Sequence, residues 1–140
     1  MPAEAAPAQS LPTEPQTGLR EVPLTIRSSN GVHRFTVEVA ATPEEQERGL
    51  MFRKSVGADR GMIFPYEPPQ EVAFWMQNTL IPLDIIFIGA DSKIARITNA
   101  KAMDVTPLPS GVPVIGVLEI RAGRAAELGI KEGDKVSWTA

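Results

Sequence analysis

The apolar residues of this 140-residue chain fall into short runs, and this pattern restricts the fold more than any other feature. About eight runs have the length and composition of β-strands, and only two short segments carry helical signals. Parallel strands need a long crossover connection, usually a helix, and the sequence offers none. We therefore predict a mainly β fold, a β-rich α+β domain. Its compact, mostly antiparallel sheet is barrel-like or folded on itself and is accompanied by two short helices.

Composition excludes several classes of protein. Hydrophobic residues make up 43% and charged residues 22% of the chain, which supports a core and is unlike a disordered protein. The chain has no cysteine and one histidine, so disulfides, thiol nucleophiles and two-histidine sites within one chain are excluded. The net charge of −3 argues against a broad nucleic-acid-binding face. No stretch approaches ~18 apolar residues, so no transmembrane segment is predicted.

Residues 1–20 differ in composition from the rest. Four of the 13 prolines lie within the first fifteen positions, among several alanines and few large apolar side chains. We predict a disordered leader or tether over residues 1–20 and a single β-rich domain over residues 21–140. Such a tether is typical of an exported protein after signal-peptide removal, so a periplasmic or otherwise exported location is expected. An ordinary cytoplasmic tail is the alternative.

Residues 22–40 predict a β-hairpin. Asn30-Gly31 is a strong turn signal, because the common two-residue hairpin loops need residues that tolerate positive φ. With these two residues as the loop, Ile26 lies opposite Phe35, and the apolar side chains of both strands share one side.

Two short helices are predicted from their end signals. Thr42 is suited to cap a helix over residues 43–52, with a proline and two glutamates in its first turn. Gly129 is suited to end a helix over residues 122–128 in the left-handed conformation. Three prolines in residues 65–70 predict a loop.

The densest group of chemically useful side chains lies between two predicted strands. Trp75, Met76, Asn78, Thr79 and Asp84 place an indole, a thioether, an amide, a hydroxyl and a carboxylate within ten residues. A few polar groups among apolar walls are what a ligand pocket needs, so these residues form a candidate recess. In the alternative, the two large apolar side chains belong to the core and the carboxylate accepts bonds from a turn or an arginine.

Arg48 and Arg53 flank the apolar end of the first predicted helix. Arginine forks suit a carboxylate or phosphate, so both are candidate ligand-binding residues. The alternative is a solvated face in which the cations complement the negative pole of the helix.

Other groups carry weaker signals. His33, beside the hairpin turn, is expected to be a packing residue without a catalytic partner. Met51, Met62, Met76 and Met103 are soft ligands for copper, although methionine is also a common core-filling residue. No metal or cofactor is therefore predicted, and no catalytic residue is assigned.

The chain resembles the bacterial and archaeal domain-of-unknown-function family 192 over about residues 32–138. The matching motifs, in chain order, are Thr42–Arg53, Arg60–Met62, Phe74–Phe87, Thr106-Pro107, Pro109–Gly111, Val117–Glu119, Leu128–Ile130 and Gly133-Asp134. The resemblance implies a compact, β-rich, barrel-like domain that often follows a secretion signal. It implies no catalytic residue, because the family has no established activity. Gln77 departs from the family pattern, in which lysine is frequent.

These observations lead to three hypotheses. The first is an exported, non-enzymatic binding or interaction module whose recess spans Trp75 to Asp84 and whose partner is an unknown small molecule or envelope protein. The second is an enzyme for a small exported substrate, with Asp84 as base or stabiliser and Arg48 or Arg53 holding an anion. The third is a structural envelope component, which predicts a large exposed apolar patch and no pocket.

Overall fold

The computed structural model describes residues 13–139 of the chain. Nine strands and two helices occur in these residues. In chain order they are β1 (Glu21–Ser28), β2 (Gly31–Val39), α1 (Pro43–Arg48), β3 (Arg60–Gln70), β4 (Ala73–Phe74), β5 (Leu83–Gly89), β6 (Ile94–Ala100), β7 (Leu108–Pro109), β8 (Val114–Arg121), α2 (Arg124–Leu128) and β9 (Lys135–Trp138).

Seven of the strands form one sheet in the order β6-β5-β8-β3-β2-β1-β9. Every neighbouring pair is antiparallel except β2 and β3. A bridge between Lys93 and Lys135 joins the two ends of the sheet, and the Val136 amide donates to the Ser92 carbonyl at 2.8 Å. The sheet therefore closes into a barrel, which confirms the predicted β-rich, mostly antiparallel fold. Strands β4 and β7 form a separate two-stranded sheet.

The sheet carries a core on each face, because successive side chains of a strand point to opposite faces. The inner core lies inside the barrel and receives side chains from all seven strands, including Leu24, Ile63 and Leu118. The outer core includes Met62 and Phe64 of β3, and it is covered by the long connections, among them the one after α1 that contributes Leu50 and Met51. Both faces of the central strands are therefore buried.

Helix α2 belongs to the inner core and closes one end of the barrel. Its Ala125 is buried there, and the Asn30 side chain of the β1–β2 turn donates to the Leu128 carbonyl at 3.0 Å. The predicted helix end is confirmed. Gly129 has φ 73°, and the Ile130 amide donates to the Ala125 carbonyl at 2.9 Å.

The hairpin forms, but its predicted register is wrong by two residues. Ile26 pairs with His33 and not with Phe35, so the turn residues are Ser29 and Asn30. A shift of two residues keeps each side chain on its predicted face. The Asn30 amide is held by the contact with α2, a tertiary interaction that turn propensity does not include.

Helix α1 begins as predicted and ends earlier. The Thr42 hydroxyl accepts from the Glu45 amide at 3.2 Å, and the Glu45 carboxylate accepts from the Thr42 amide at 3.1 Å, which completes a capping box. The helix ends at Arg48, before the predicted residue 52, because Gly49 leaves the helical conformation with φ 46°.

The prediction of a loop over residues 65–70 is also wrong. Strand β3 continues to Gln70, which pairs with Val114 after a register shift. The prolines lie where the ladder is irregular, so they displace few backbone hydrogen bonds.

The described part of the predicted leader packs on the domain. Residues 13–20 lie against α1 and β2, and the Gln16 side chain is buried. This contact differs from the disorder expected over residues 13–20, and the rest of that prediction lies outside the described residues. Within residues 13–139, neither helix has the length and apolar character needed to cross a bilayer.

Candidate functional site

The predicted recess between Trp75 and Asp84 is divided by the sheet. Met76 belongs to the outer core, and Trp75 packs against that core. Asp84 lies between Leu83 and Ile85, which are outer-core residues, so its side chain points to the opposite face. The expectation of one recess that contains both the indole and the carboxylate is therefore corrected, because strand alternation places the two groups on different faces.

Asp84 is fully buried and holds the start of α2. One carboxylate oxygen accepts from the Asn99 side chain at 2.8 Å and from the Gly123 amide at 3.2 Å. The other oxygen accepts from the Ala125 amide at 3.0 Å. The first amides of a helix have no partner within the helix, and a carboxylate there also complements the helix dipole. Asp84 thus acts as a cap supplied by a neighbouring strand.

The backbone of the segment between Trp75 and Thr79 is bound to two neighbouring connections. Asn78 has φ 56°, and its carbonyl accepts from the Phe52 amide at 2.8 Å. The Thr79 carbonyl accepts from the Met103 amide at 2.9 Å. The Thr79 side chain is buried, whereas those of Trp75 and Asn78 are half-buried. Most polar groups of this segment therefore contribute to the cover of the outer core.

The indole nitrogen of Trp75 is an exception. It is buried and has no hydrogen-bond partner among the described residues. A buried donor of this kind is uncommon in native proteins, and water or a bound group often supplies the partner. Within the Trp75–Asp84 segment, Trp75 and Asn78 are the two predicted ligand contacts that retain some exposure.

Arg48 and Arg53 bind groups of the protein itself. Arg53 forms a two-pronged ion pair with Glu38, at 2.8 and 2.9 Å, and also donates to the Gln16 carbonyl at 2.9 Å. Arg48 donates to the Glu14 carbonyl at 2.6 Å. The Arg53 fork holds a carboxylate, the kind of group for which arginine is suited, but this carboxylate belongs to Glu38 of the same chain and not to a ligand.

The weaker candidates are dispersed. Met51, Met62 and Met76 lie in the outer core, whereas Met103 is 52% exposed on a connection. His33 is half-buried, and its ring nitrogen shares a hydrogen bond with the Asn30 side chain at 3.1 Å. The four methionines considered as copper ligands are therefore not assembled as one set.

Glu119 is a buried carboxyl that the sequence-based search missed. It lies on β8 between Met62 and Ile85 of the adjacent strands and faces the outer core. Burial raises the pKa of its carboxyl above the ordinary value. The available signal was an acidic residue inside the apolar run Val114–Ile120.

An open groove lies at the barrel end opposite α2. Asp84, the second residue of β5, lies beside α2, whereas Gly89 ends the strand and the following turn contributes Ser92 to the groove. We call this cavity of about 470 Å³ the mouth groove. It is lined by Pro65, Tyr66, Glu67, Pro69, Ser92, Ile115, Val136, Ser137 and Trp138.

Gly116 allows Trp138 to form a wall of the mouth groove. A Cβ atom at position 116 would lie 2.8 Å from the indole ring, so the ring rests directly on the glycine backbone. The lining residues come from β3, the β5–β6 turn, β8 and β9, which are far apart in sequence. No local motif therefore marked this groove.

Comparisons with known proteins support a family assignment. Residues 24–138 match the family model for domain-of-unknown-function family 192, described as an uncharacterized ACR. The chain therefore belongs to this family, as its motifs predicted. No curated protein matches.

Two solved structures are similar over most of the chain. A protein of unknown function from Novosphingobium aromaticivorans DSM 12444, solved at 1.22 Å, is 50% identical with a TM-score of 0.85, and the match covers 97% of this chain and 96% of that one. A putative transcription regulator from Sinorhizobium meliloti 1021 is 34% identical with a TM-score of 0.84, and the match covers 88% and 97% of the two chains.

Proposed function

We propose that this member of the family is a non-catalytic binding module whose ligand enters the mouth groove. The observation that carries the proposal is the open cavity of about 470 Å³ at one end of the barrel. Ligand sites commonly occupy ~300–1,000 Å³ and are frequent in the mouths of β-barrels. This proposal keeps the predicted binding role and moves the principal site away from the Trp75–Asp84 segment.

The lining favours a ligand with an apolar body and a positive group. Tyr66, Trp138 and Ile115 supply aromatic and aliphatic walls, and Glu67 is the single charged side chain of the lining. A cation is attracted to aromatic faces and to a carboxylate, which together select it over an anion. Lys93 and Lys135 lie one residue from Ser92 and Val136 in sequence but are not among the lining residues.

The other two functional hypotheses have less support. The enzyme hypothesis needs an accessible Asp84, but this carboxylate is fully buried and bound to three donors. The envelope-component hypothesis predicts no pocket, whereas the mouth groove is open. Transcription regulation, the role that the description of the Sinorhizobium meliloti protein gives, also has less support, because the net charge of −3 disfavours nucleic-acid binding by this chain.

A fragment screen tests the proposed site. We expect aromatic amines to bind more tightly than aromatic carboxylates of the same shape, measured by calorimetry or ligand-observed NMR. Trp138→Ala should reduce binding of the best amine at least ~10-fold, because it removes a wall of the groove. Val112→Ala changes an exposed residue outside the lining and serves as the control. Hits that bind Trp138→Ala and the parent equally, with both proteins folded, would exclude the mouth groove.

We further propose that the domain works outside the cytoplasm, because the proline- and alanine-rich composition of residues 1–20 is typical of a tether left after signal-peptide removal. An antibody against the domain should detect the protein in the extracytoplasmic fraction of the source cells. Detection in the cytoplasmic fraction alone would overturn this part of the proposal without affecting the groove.

A further inference from the structure

Residues 14–19 of the leader are held against the domain near the end of α1. The Gln16 side chain donates to the Glu45 carbonyl at 2.8 Å and to the Gly49 carbonyl at 2.9 Å, at the end of α1. The Glu45 carbonyl also accepts from the Gly49 amide at 2.9 Å, so Gln16 adds a second bond to it and supplies a donor to the Gly49 carbonyl just beyond the helix. Gln16 is only 7% exposed, so its amide is enclosed by the site.

Two arginines of the domain hold the backbone of the same segment. Arg48 donates to the Glu14 carbonyl and Arg53 to the Gln16 carbonyl, at 2.6 and 2.9 Å. Glu38 fixes the Arg53 fork from the other side. Contacts to backbone carbonyls are independent of the bound side chains, so the arginines recognise a peptide main chain in a set direction.

Leu19 supplies the apolar contact. It packs against the outer core three residues after Gln16, whereas Thr13, Glu14, Pro15, Thr17 and Gly18 are exposed. The segment is thus held at a few points, and the described part of the chain shows no strand pairing between it and the barrel before Arg20. A segment with few buried contacts opens locally at low cost.

We propose that the surface formed by Arg48, Arg53, Glu38 and the end of α1 is a peptide-docking site, which residues 14–19 of this chain occupy in cis. Its ligand class is an extended peptide with a glutamine followed three residues later by a leucine. The glutamine amide binds the end of α1, the leucine covers the outer core, and the arginines hold the carbonyls of the glutamine and of the residue two positions before it. This site is separate from the mouth groove and does not depend on a ligand there.

Tryptic cleavage after Arg20 in the full chain measures release of the segment. A protease cuts the transiently open form, so the rate follows the population of that form when reclosing is fast. Loss of the two Gln16 hydrogen bonds in Gln16→Ala should raise the rate about tenfold. Thr17→Ala is the matched control, because Thr17 is exposed, and its rate should equal that of the parent. Equal rates for the two variants would overturn the role of Gln16.

A competing peptide tests whether the site accepts a ligand in trans. A synthetic peptide of residues 13–19, added at roughly 10 mM to match the effective concentration of a tethered segment, should accelerate cleavage of the unmodified chain after Arg20. The same peptide with Gln16→Ala should not. If neither peptide accelerates cleavage, the contact is only part of the fold and the docking site is excluded. Mass spectrometry of the products distinguishes cleavage after Arg20 from cleavage at other sites.

Discussion

The two ends of the barrel have similar strands but opposite degrees of closure. At one end, the buried Asp84 carboxylate holds α2 across the opening. At the other end, Trp138 rests on Gly116 and leaves the mouth groove beside it. The comparison shows that a dense group of polar residues in a sequence is not necessarily available to a ligand. In this chain Asp84, the carboxylate of the predicted recess, stabilises the closed end.

The largest effect is expected from opening the closed end. Asp84→Ala should reduce the free energy of unfolding by about 3 kcal/mol, because it leaves the Gly123 and Ala125 amides without their buried acceptor. Denaturant unfolding measures the change. Asp91→Ala removes an acceptor from an exposed turn and should cost less than ~1 kcal/mol. Similar losses for the two variants would mean that Asp84 does not hold α2.

The open end should be sensitive to one methyl group. Gly116→Ala places a Cβ atom 2.8 Å from the Trp138 ring, so the ring must move and the mouth groove must change shape. We expect a loss of about 2 kcal/mol in stability, together with weaker binding of groove ligands. Gly57→Ala is the control, since its nearest contact is the flexible Arg60 side chain at 3.4 Å. Unchanged Trp138 emission in Gly116→Ala would contradict the packing described here.

The stability of the folded protein should depend on pH through Glu119, which is buried in the outer core. Burial raises the pKa of this carboxyl in the folded state above its ordinary value of 4.5, so the folded protein binds the proton more tightly than the unfolded chain. Stability from this group is present at low pH and is lost as the pH rises above 4.5. Glu119→Gln should therefore gain stability relative to the parent as the pH is raised. Thermal unfolding between about pH 4 and pH 7 measures this difference, with Glu132→Gln on an exposed turn as control. A constant difference would show that the pKa of the Glu119 carboxyl is not raised in the folded state.

The smallest effects are expected from two ion pairs of different exposure. The Arg53 and Glu38 side chains are 20% and 15% exposed, whereas those of Arg60 and Glu21 are 48% and 47% exposed. Double-mutant cycles with alanine should give a coupling energy of about 1 kcal/mol for the first pair and ~0.5 kcal/mol or less for the second. A larger coupling in the exposed pair would contradict the account of Arg53 as a fixed part of the leader-binding surface.

Local signals predicted much of the fold correctly. The capping box at Thr42 and the left-handed end at Gly129 depend on residues within one turn, so neighbouring sequence is sufficient to identify them. The hairpin faces were also predictable, because alternation alone determines them. Its register was not, since Asn30 binds α2 almost a hundred residues later in the chain.

The candidate site was harder to predict for the same physical reason. Whether Trp75 and Asp84 share a recess depends on which face of β5 is inside the barrel, and both faces of that strand are apolar in the sequence. The mouth groove combines Tyr66, Ile115 and Trp138 from three strands that are far apart in the sequence. Strands β3 and β8 pair directly, but only the closure of the sheet brings Trp138 of β9 to them, and composition and motifs contain no record of that closure.

The central claim, that the open end binds and the Trp75 segment does not, is tested most directly by the two indole N–H signals in a ¹H–¹⁵N NMR spectrum. The chain has two tryptophans, so Trp138→Phe assigns both signals. During titration with the best aromatic amine, we predict that the Trp138 signal shifts and saturates while the Trp75 signal stays in place. A saturating shift of the Trp75 signal with an unmoved Trp138 signal would contradict the claim and place the ligand over the outer core.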